Sequence, residues 1–229
     1  MLFGMPMDYT VSFRPGSRFG PARIREASVG LEEYSPYLDR ELYDIRYFDA
    51  GDLLLPFGNA ARSLDLIGEF VAKVLADGKL PVGMGGEHLV TWPIIQELHQ
   101  RVPNLAVIHI DAHADLREQY EGEPLSHSTP LRKAAELLGG SNIYQFGIRS
   151  GSKEEFAYGR QHCNFYPFEV LQPLQRVLPE LAGRSVYVTV DIDVLDPSAA
   201  PGTGTAEAAG ITSMELLAAI HAIAASEVN

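Results

Sequence analysis

Short apolar runs and helically spaced apolar positions take turns along this chain. Residues 2–5, 43–48, 80–84, 105–110, 143–147 and 185–190 are largely apolar stretches of strand length, and each is predicted as a strand. Between them the period changes. Residues 20–31 open on Gly20-Pro21, with proline at a favoured first-turn position. Residues 63–76 place Leu64, Ile67, Val71, Val74 and Leu75 at helical spacing. Residues 89–98 read as a helix that tolerates Pro93 only near its start. Residues 131–138 and 213–225 complete the set, with Ser213 as a cap and Glu215 in the first turn of the last helix. Strands rich in Val and Ile on both faces, alternating with helices, predict an α/β fold with a parallel sheet covered on both sides. Right-handed crossovers then bring the loops that follow the strands to one edge, where sites form in such sheets.

Two acidic clusters fall at that edge. The run Leu105-Ala-Val-Ile-His-Ile110 leads into Asp111-Ala-His113-Ala-Asp115, and Ser185-Val-Tyr-Val-Thr-Val190 leads into Asp191-Ile-Asp193. Residues two apart in an extended chain share a face, so Asp111, His113 and Asp115 are predicted to converge, with Asp191 and Asp193 opposite them. A third stretch, Gly83-Met-Gly-Gly-Glu-His88, delivers His88 to the same edge. Burying several carboxylates together is costly without countercharge, and metal ions supply it. Four aspartates carry four negative charges, which two divalent cations balance. An oxygen and imidazole donor set without thiolate suits Mn²⁺, and less selectively Fe²⁺, Co²⁺ or Zn²⁺. Two such ions can share a water and hold it as a nucleophile at neutral pH. A single aspartate after a strand more often caps a turn, and a single histidine is more often a hydrogen-bonded core residue. Two clusters, with a glycine-preceded histidine at a third strand end, favour the metal.

Composition narrows the classes. The formal net charge of −12 argues against non-specific nucleic-acid binding and is compatible with a cationic substrate. No apolar run approaches the roughly 20 residues needed to span a bilayer. The N-terminus shows no basic n-region or cleavage site, and a single cysteine, Cys163, excludes an intrachain disulfide; a reducing, cytoplasmic location is expected. The glycines at 83, 85, 86, 202 and 204 complete neither GxGxxG nor GxxxxGK[ST], so they are read as tight loops and not as a phosphate cradle. Arg14, Arg18 and Arg149 are read as anchors of loops or subunit contacts, Glu87 as a support beside a metal ligand, and Cys163 as inert.

Taken together, Gly85-Gly-Glu-His88, Asp111-Ala-His-Ala-Asp115, Ser126-His-Ser128, Asp191-Ile-Asp-Val-Leu-Asp-Pro197, Pro201-Gly-Thr-Gly-Thr205 and Gly210-Ile-Thr212 resemble the ureohydrolase family of arginases and agmatinases over essentially the whole chain. Gly4-Met-Pro-Met-Asp8, the segment from Arg14 to Pro21, and Glu121-Gly-Glu-Pro-Leu-Ser-His127 are more similar to bacterial agmatinases than to arginases. The resemblance implies a three-layer arginase-like fold in a single domain over residues 1–229, and a manganese-dependent hydrolysis of agmatine to putrescine and urea by a metal-bridging hydroxide. It implies two Mn²⁺ per subunit. His88, Asp111, Asp115 and Asp191 would hold one ion, and Asp111, His113, Asp191 and Asp193 the other, with Asp111 and Asp191 bridging. His127 falls where the family has a proton-shuttling histidine near the substrate. A homo-oligomer, trimer or hexamer, is implied as well. Guanidinobutyrase, arginase and formimidoylglutamase share the metal core and are the near alternatives.

The chain departs from the family at its ends. A C-terminal strand, a glutamate that pairs with the substrate guanidinium, and a final helix are expected to be missing, together with a segment before the first strand. The alternative of a different class is accordingly a truncated, catalytically impaired chain that binds metal or serves in an assembly.

Overall fold

The computed structural model describes residues 1–229. In chain order the strands are β1 (Leu2–Met5), β2 (Tyr34–Ser35), β3 (Arg40–Glu41), β4 (Asp49–Asp52), β5 (Val82–Gly85), β6 (Ala106–Ile110), β7 (Ile143–Phe146), β8 (Asn164–Tyr166) and β9 (Val186–Val190). The helices are α1 (Gly20–Ser28), α2 (Ala60–Ala76), α3 (Thr91–His99), α4 (Pro130–Leu138), α5 (Lys153–His162), α6 (Leu171–Val177) and α7 (Ser213–Ala225). No helix is long and apolar enough to cross a membrane.

The predicted parallel sheet is present in two pieces. One has the order β4-β1-β5 and the other β8-β7-β6-β9, and every pairing in both is parallel. Only the short β2-β3 hairpin is antiparallel. β5 pairs with a strand only on its β1 side and β9 only on its β6 side, where the other edge of β9 meets Asn229 at Val186 alone; both strands line the same cleft.

Strand β6 is buried along its whole length, which explains why its sequence is apolar on both faces. Ile108 and Ile110 face a core shared with α6 and α7, through Leu174, Val177 and Ala219. Val107 faces the opposite core, built with Ile95 of α3 and with Leu131 and Ala134 of α4. Helices on both faces of the sheet give three layers. A third core joins Phe3 and Met5 of β1 to Leu64, Ile67 and Val71 of α2. Each such fully buried aliphatic side chain is worth about 1.5–3 kcal/mol, against about 1 kcal/mol for a helix cap, so packing dominates local propensity.

Several boundaries differ from expectation for identifiable reasons. Residues 43–48 are not a strand: Leu42–Asp44 form a 3-10 turn, and the strand is Asp49–Asp52. β4 is polar in sequence but is held by β1 on one side and by Arg25 of α1, whose Nε and Nη2 donate to Asp49 at 2.6 and 2.8 Å. Thr212, one residue earlier than expected, caps α7 by accepting from the Glu215 N–H. Helix α1 stops at Ser28 and not at residue 31. Elements α5, β8 and α6 fill a region where no periodic signal had been recognised.

Candidate metal centre

Three strand ends open on one cleft of about 960 Å³, lined by His88, Asp111, His113, Asp115, His127, Asp191 and Asp193 among others. His88 arrives there because the chain turns sharply after β5. The Glu87 N–H donates to the Met7 carbonyl at 2.7 Å. At Gly86 a Cβ would overlap that same carbonyl and lie 2.7 Å from the Met7 nitrogen, so only glycine permits the approach.

The ligand-type atoms fall into two groups that share Asp111. His88 Nδ1 lies 2.8 Å from Asp111 Oδ2, 3.3 Å from Asp115 Oδ2 and 3.5 Å from Asp191 Oδ2. His113 Nδ1 lies 3.0 Å from Asp193 Oδ2 and 3.7 Å from Asp111 Oδ1. The two oxygens of Asp111 therefore face different groups. All six residues expected from sequence come together, though not by the simple alternation of an extended chain. Asp115 sits at φ +52°, in the left-handed region, and Asp193 lies on the 3-10 turn Ile192–Val194, where its N–H donates to Asp191 Oδ1 at 3.0 Å.

The electrostatics are those of buried carboxylates and imidazoles packed against one another. Burial opposes charge on His88, but Asp111, Asp115 and Asp191 outweigh it and raise the imidazole to about 10. His113 is likewise disfavoured by burial and raised to about 12 by Asp111 and Asp193. Burial, with Asp111 and Asp191, pushes Asp193 up to about 9, and burial with Asp111 raises Asp115 well above the usual carboxylate range. Burial would raise Asp111 too, but His109, His113 and His88 hold it well below that range.

One observation tests whether metal ions fit. His88 Nδ1 is buried and has no hydrogen-bond partner of acceptable geometry, although three carboxylate oxygens lie within 3.5 Å of it. Its other nitrogen is occupied, with Nε2 2.9 Å from Thr189 Oγ1. A ring nitrogen set among carboxylates, with the ring fixed from behind, is the arrangement of a metal-ligating histidine. Donor atoms within 4.8 Å of one another occur in both groups, one drawn from His88, His109, Asp111 and Asp115 and one from Asp111, His113 and Asp193. The residues present fit a pair of divalent ions held by oxygen and nitrogen.

His127 lines the same cleft. Its Nδ1–H donates to the Thr10 carbonyl at 2.6 Å and its backbone N–H to Thr10 Oγ1 at 2.8 Å. Nε2 is thereby left as an acceptor in the neutral ring, 3.3 Å from Ser12 Oγ. Burial lowers its pKa. Thr10 is held in turn by Glu87, which accepts from its N–H at 2.8 Å and its hydroxyl at 3.0 Å. Arg149 anchors a loop, as expected: its guanidinium donates to the carbonyls of Asp193, Val194, Leu195, Glu207 and Ala208. Arg18 pairs with Asp8 at 2.9 Å. Cys163 is half-buried, and burial pushes its thiol up to about 11.

Sequence reasoning missed His109, Gln145, Thr189 and Glu207. Glu207 Oε1 lies 3.5 Å from His113 Nε2 and accepts from Ser150 Oγ at 2.8 Å, so a carboxylate backs the His113 ring. The other three are polar residues inside apolar strands, and that interruption is the signal that could have found them.

Fold and site together define a three-layer parallel α/β protein with two carboxylate–histidine groups, joined through Asp111, at the carboxyl ends of its strands. The sequence profile of the arginase family matches residues 1–229, and the chain belongs to that family of hydrolases. It is 67% identical to the agmatinase of Bacillus subtilis (strain 168), over 100% of this chain and 79% of the relative. The crystal structure of a candidate agmatinase from Clostridium difficile superimposes with a TM-score of 0.96 at 39% identity, covering 100% of this chain and 83% of that one. Formimidoylglutamase from Bacillus subtilis shares the fold at a TM-score of 0.89 and 28% identity, covering 99% and 75%.

Proposed function

We propose that this chain is a binuclear manganese amidinohydrolase that cleaves agmatine to putrescine and urea, a step of polyamine biosynthesis. The carrying observation is the pair of ligand groups joined through the two oxygens of Asp111. His88, Asp111, Asp115 and Asp191 would hold one ion and Asp111, His113, Asp191 and Asp193 the other. When bound, a divalent pair supplies the Lewis acidity that activates water at neutral pH. The chain's own residues do the rest. The acidic cleft attracts a guanidinium cation. His127 has its Nδ1–H anchored on Thr10, which presents Nε2 to the cleft to take up and return a proton as the amine departs. The fold alone is shared with a formimidoylglutamase, so the fold does not select the substrate; 67% identity to an agmatinase across this whole chain favours agmatine. We read residues 1–229 as acting in one domain, in the cytoplasm and in a homo-oligomer.

The test is to load the full chain with Mn²⁺, count bound metal, and assay urea release from agmatine, arginine and 4-guanidinobutyrate. Two ions per chain and preferential cleavage of agmatine are expected, and Asp111→Asn should lose both ions. Preferential urea release from another guanidino compound would replace the substrate; one ion or none would remove the mechanism.

A further inference from the structure

His109 meets the distance criterion for a metal ligand alongside His88, Asp111 and Asp115. The hydrogen bonds around it point to a different job. In the register of the sheet His109 of β6 lies between Gln145 of β7 and Thr189 of β9, so the three form one row across parallel strands. His109 and Gln145 are fully buried, and Thr189 nearly so.

The row has a defined direction of donation. Gln145 Nε2 lies 2.7 Å from the Ala114 carbonyl, which only accepts, so that atom is the amide nitrogen. The same nitrogen lies 2.9 Å from His109 Nδ1, which must therefore accept. With Nδ1 accepting, the ring proton sits on Nε2, and Nε2 lies 2.7 Å from Asp111 Oδ2. Both nitrogens of His109 are thus committed, and no lone pair is left for a metal. The Gln145 carbonyl oxygen is buried with no partner, so the amide is held in this orientation by its nitrogen contacts alone. At the other end of the row Thr189 Oγ1 meets His88 Nε2 at 2.9 Å, and Thr91 donates to Thr189 at 3.3 Å.

We propose that His109, oriented by Gln145, is a positioning residue that fixes the bridging carboxylate of Asp111, and that the row Gln145-His109-Thr189 is the floor on which the two-ion centre is aimed. This rests on the metal reading above. Asp111 Oδ2 accepts from His109 while Oδ1 accepts from the His113 N–H at 2.6 Å, so the carboxylate plane is set from both sides before any ion arrives. Freeing one side lets the carboxylate rotate and weakens both ions together, because both use it.

The test uses the full chain, with Mn²⁺ titrated against free-ion electron paramagnetic resonance, and melting measured on the metal-free protein. His109→Phe keeps a flat ring but removes the donor; His109→Gln restores an N–H near the position of Nε2. His109→Phe should raise both Mn²⁺ dissociation constants about 10–100-fold with little change in metal-free melting, and His109→Gln should recover most of that loss. Equal Mn²⁺ affinity in His109→Phe and the parent, or equal weakness in the Phe and Gln variants, would overturn the assignment. If His109→Phe does not fold, Gln145→Met carries the test: it leaves His109 in place, and unchanged Mn²⁺ affinity there also overturns it. A parent chain that binds no Mn²⁺ strikes the metal reading itself and is seen before any variant is compared.

Discussion

Glu87 is a buried carboxyl held where its ionisation is disfavoured, and replacing it with glutamine should flatten the pH dependence of stability. The side chain is only 4% exposed. Burial raises its pKa from 4.5 to about 7, despite the two hydrogen bonds from Thr10 that favour the charged form. The sign follows from linkage. Between those two values the folded state holds the proton more tightly than the unfolded state, so stability is highest below pH 4.5 and falls as pH rises through about 7. Once Glu87 is fully ionised the cost is about 3 kcal/mol, at 1.36 kcal/mol per pH unit of displacement. Between pH 5 and pH 8 the loss is about 2.5 kcal/mol. Glu87→Gln removes this titration while its amide oxygen can still accept from the Thr10 N–H. Urea unfolding of chelator-treated protein and of the variant, at pH 5, 6, 7 and 8, measures the difference directly, and subtracting the two curves cancels groups common to both. A parent-minus-variant stability that stays constant across those pH values would refute the reasoning. The residue matters for the site because its acceptance from the Thr10 hydroxyl turns that oxygen to accept from the His127 N–H. A group that destabilises the protein near neutral pH is therefore the one that orients the support of the candidate proton carrier.

Arg149→Met should destabilise the protein by about 3 kcal/mol in urea unfolding, since it strips a charged donor from the carbonyls of Asp193 to Leu195 and of Glu207 and Ala208; a change under about 0.5 kcal/mol would show that the loop holds itself. Mn²⁺ binding should release protons and tighten as pH rises, because His88 at about 10 and His113 at about 12 are protonated in the metal-free chain at neutral pH and must give up those protons to bind. Calorimetry in two buffers of different ionisation enthalpy counts those protons, and zero release would contradict the proposed ligands.

Strand β6 was legible because burial on both faces leaves a mostly apolar run, β7 and β9 because β-branched and aromatic residues dominate them, and the clustered Asp and His residues because they sit just past such runs. β4 was not: its sequence Asp-Ala-Gly-Asp has no strand signal, and its conformation comes from pairing with β1 and from Arg25, which are contacts distant in sequence. α5 carried a readable sign in its capping box, Ser152 with Glu155, that an apolar-period search passes over because the helix is mostly polar. The geometry of the cluster was only half legible. Alternation correctly grouped Asp111 with His113, but the positions of Asp115 and Asp193 depend on a left-handed residue and a 3-10 turn that spacing does not encode.

The polar row shows why the interior of such a strand carries information as well as its end. Gln145, His109 and Thr189 cost the sheet three apolar positions, offset by the hydrogen bonds that the Gln145 amide nitrogen, both His109 nitrogens and the Thr189 hydroxyl make. The row lies one pleat before the ligands: His109 is two residues before Asp111, Thr189 is two before Asp191, and the pleat keeps residues two apart on one face. Rigid strands thus deliver a fixed donor to Asp111 and a fixed acceptor to His88 from beneath, while the loops above carry the other clustered side chains. A cluster aimed by the sheet and closed by loops leaves those loops free to vary while the geometry of the cluster is kept.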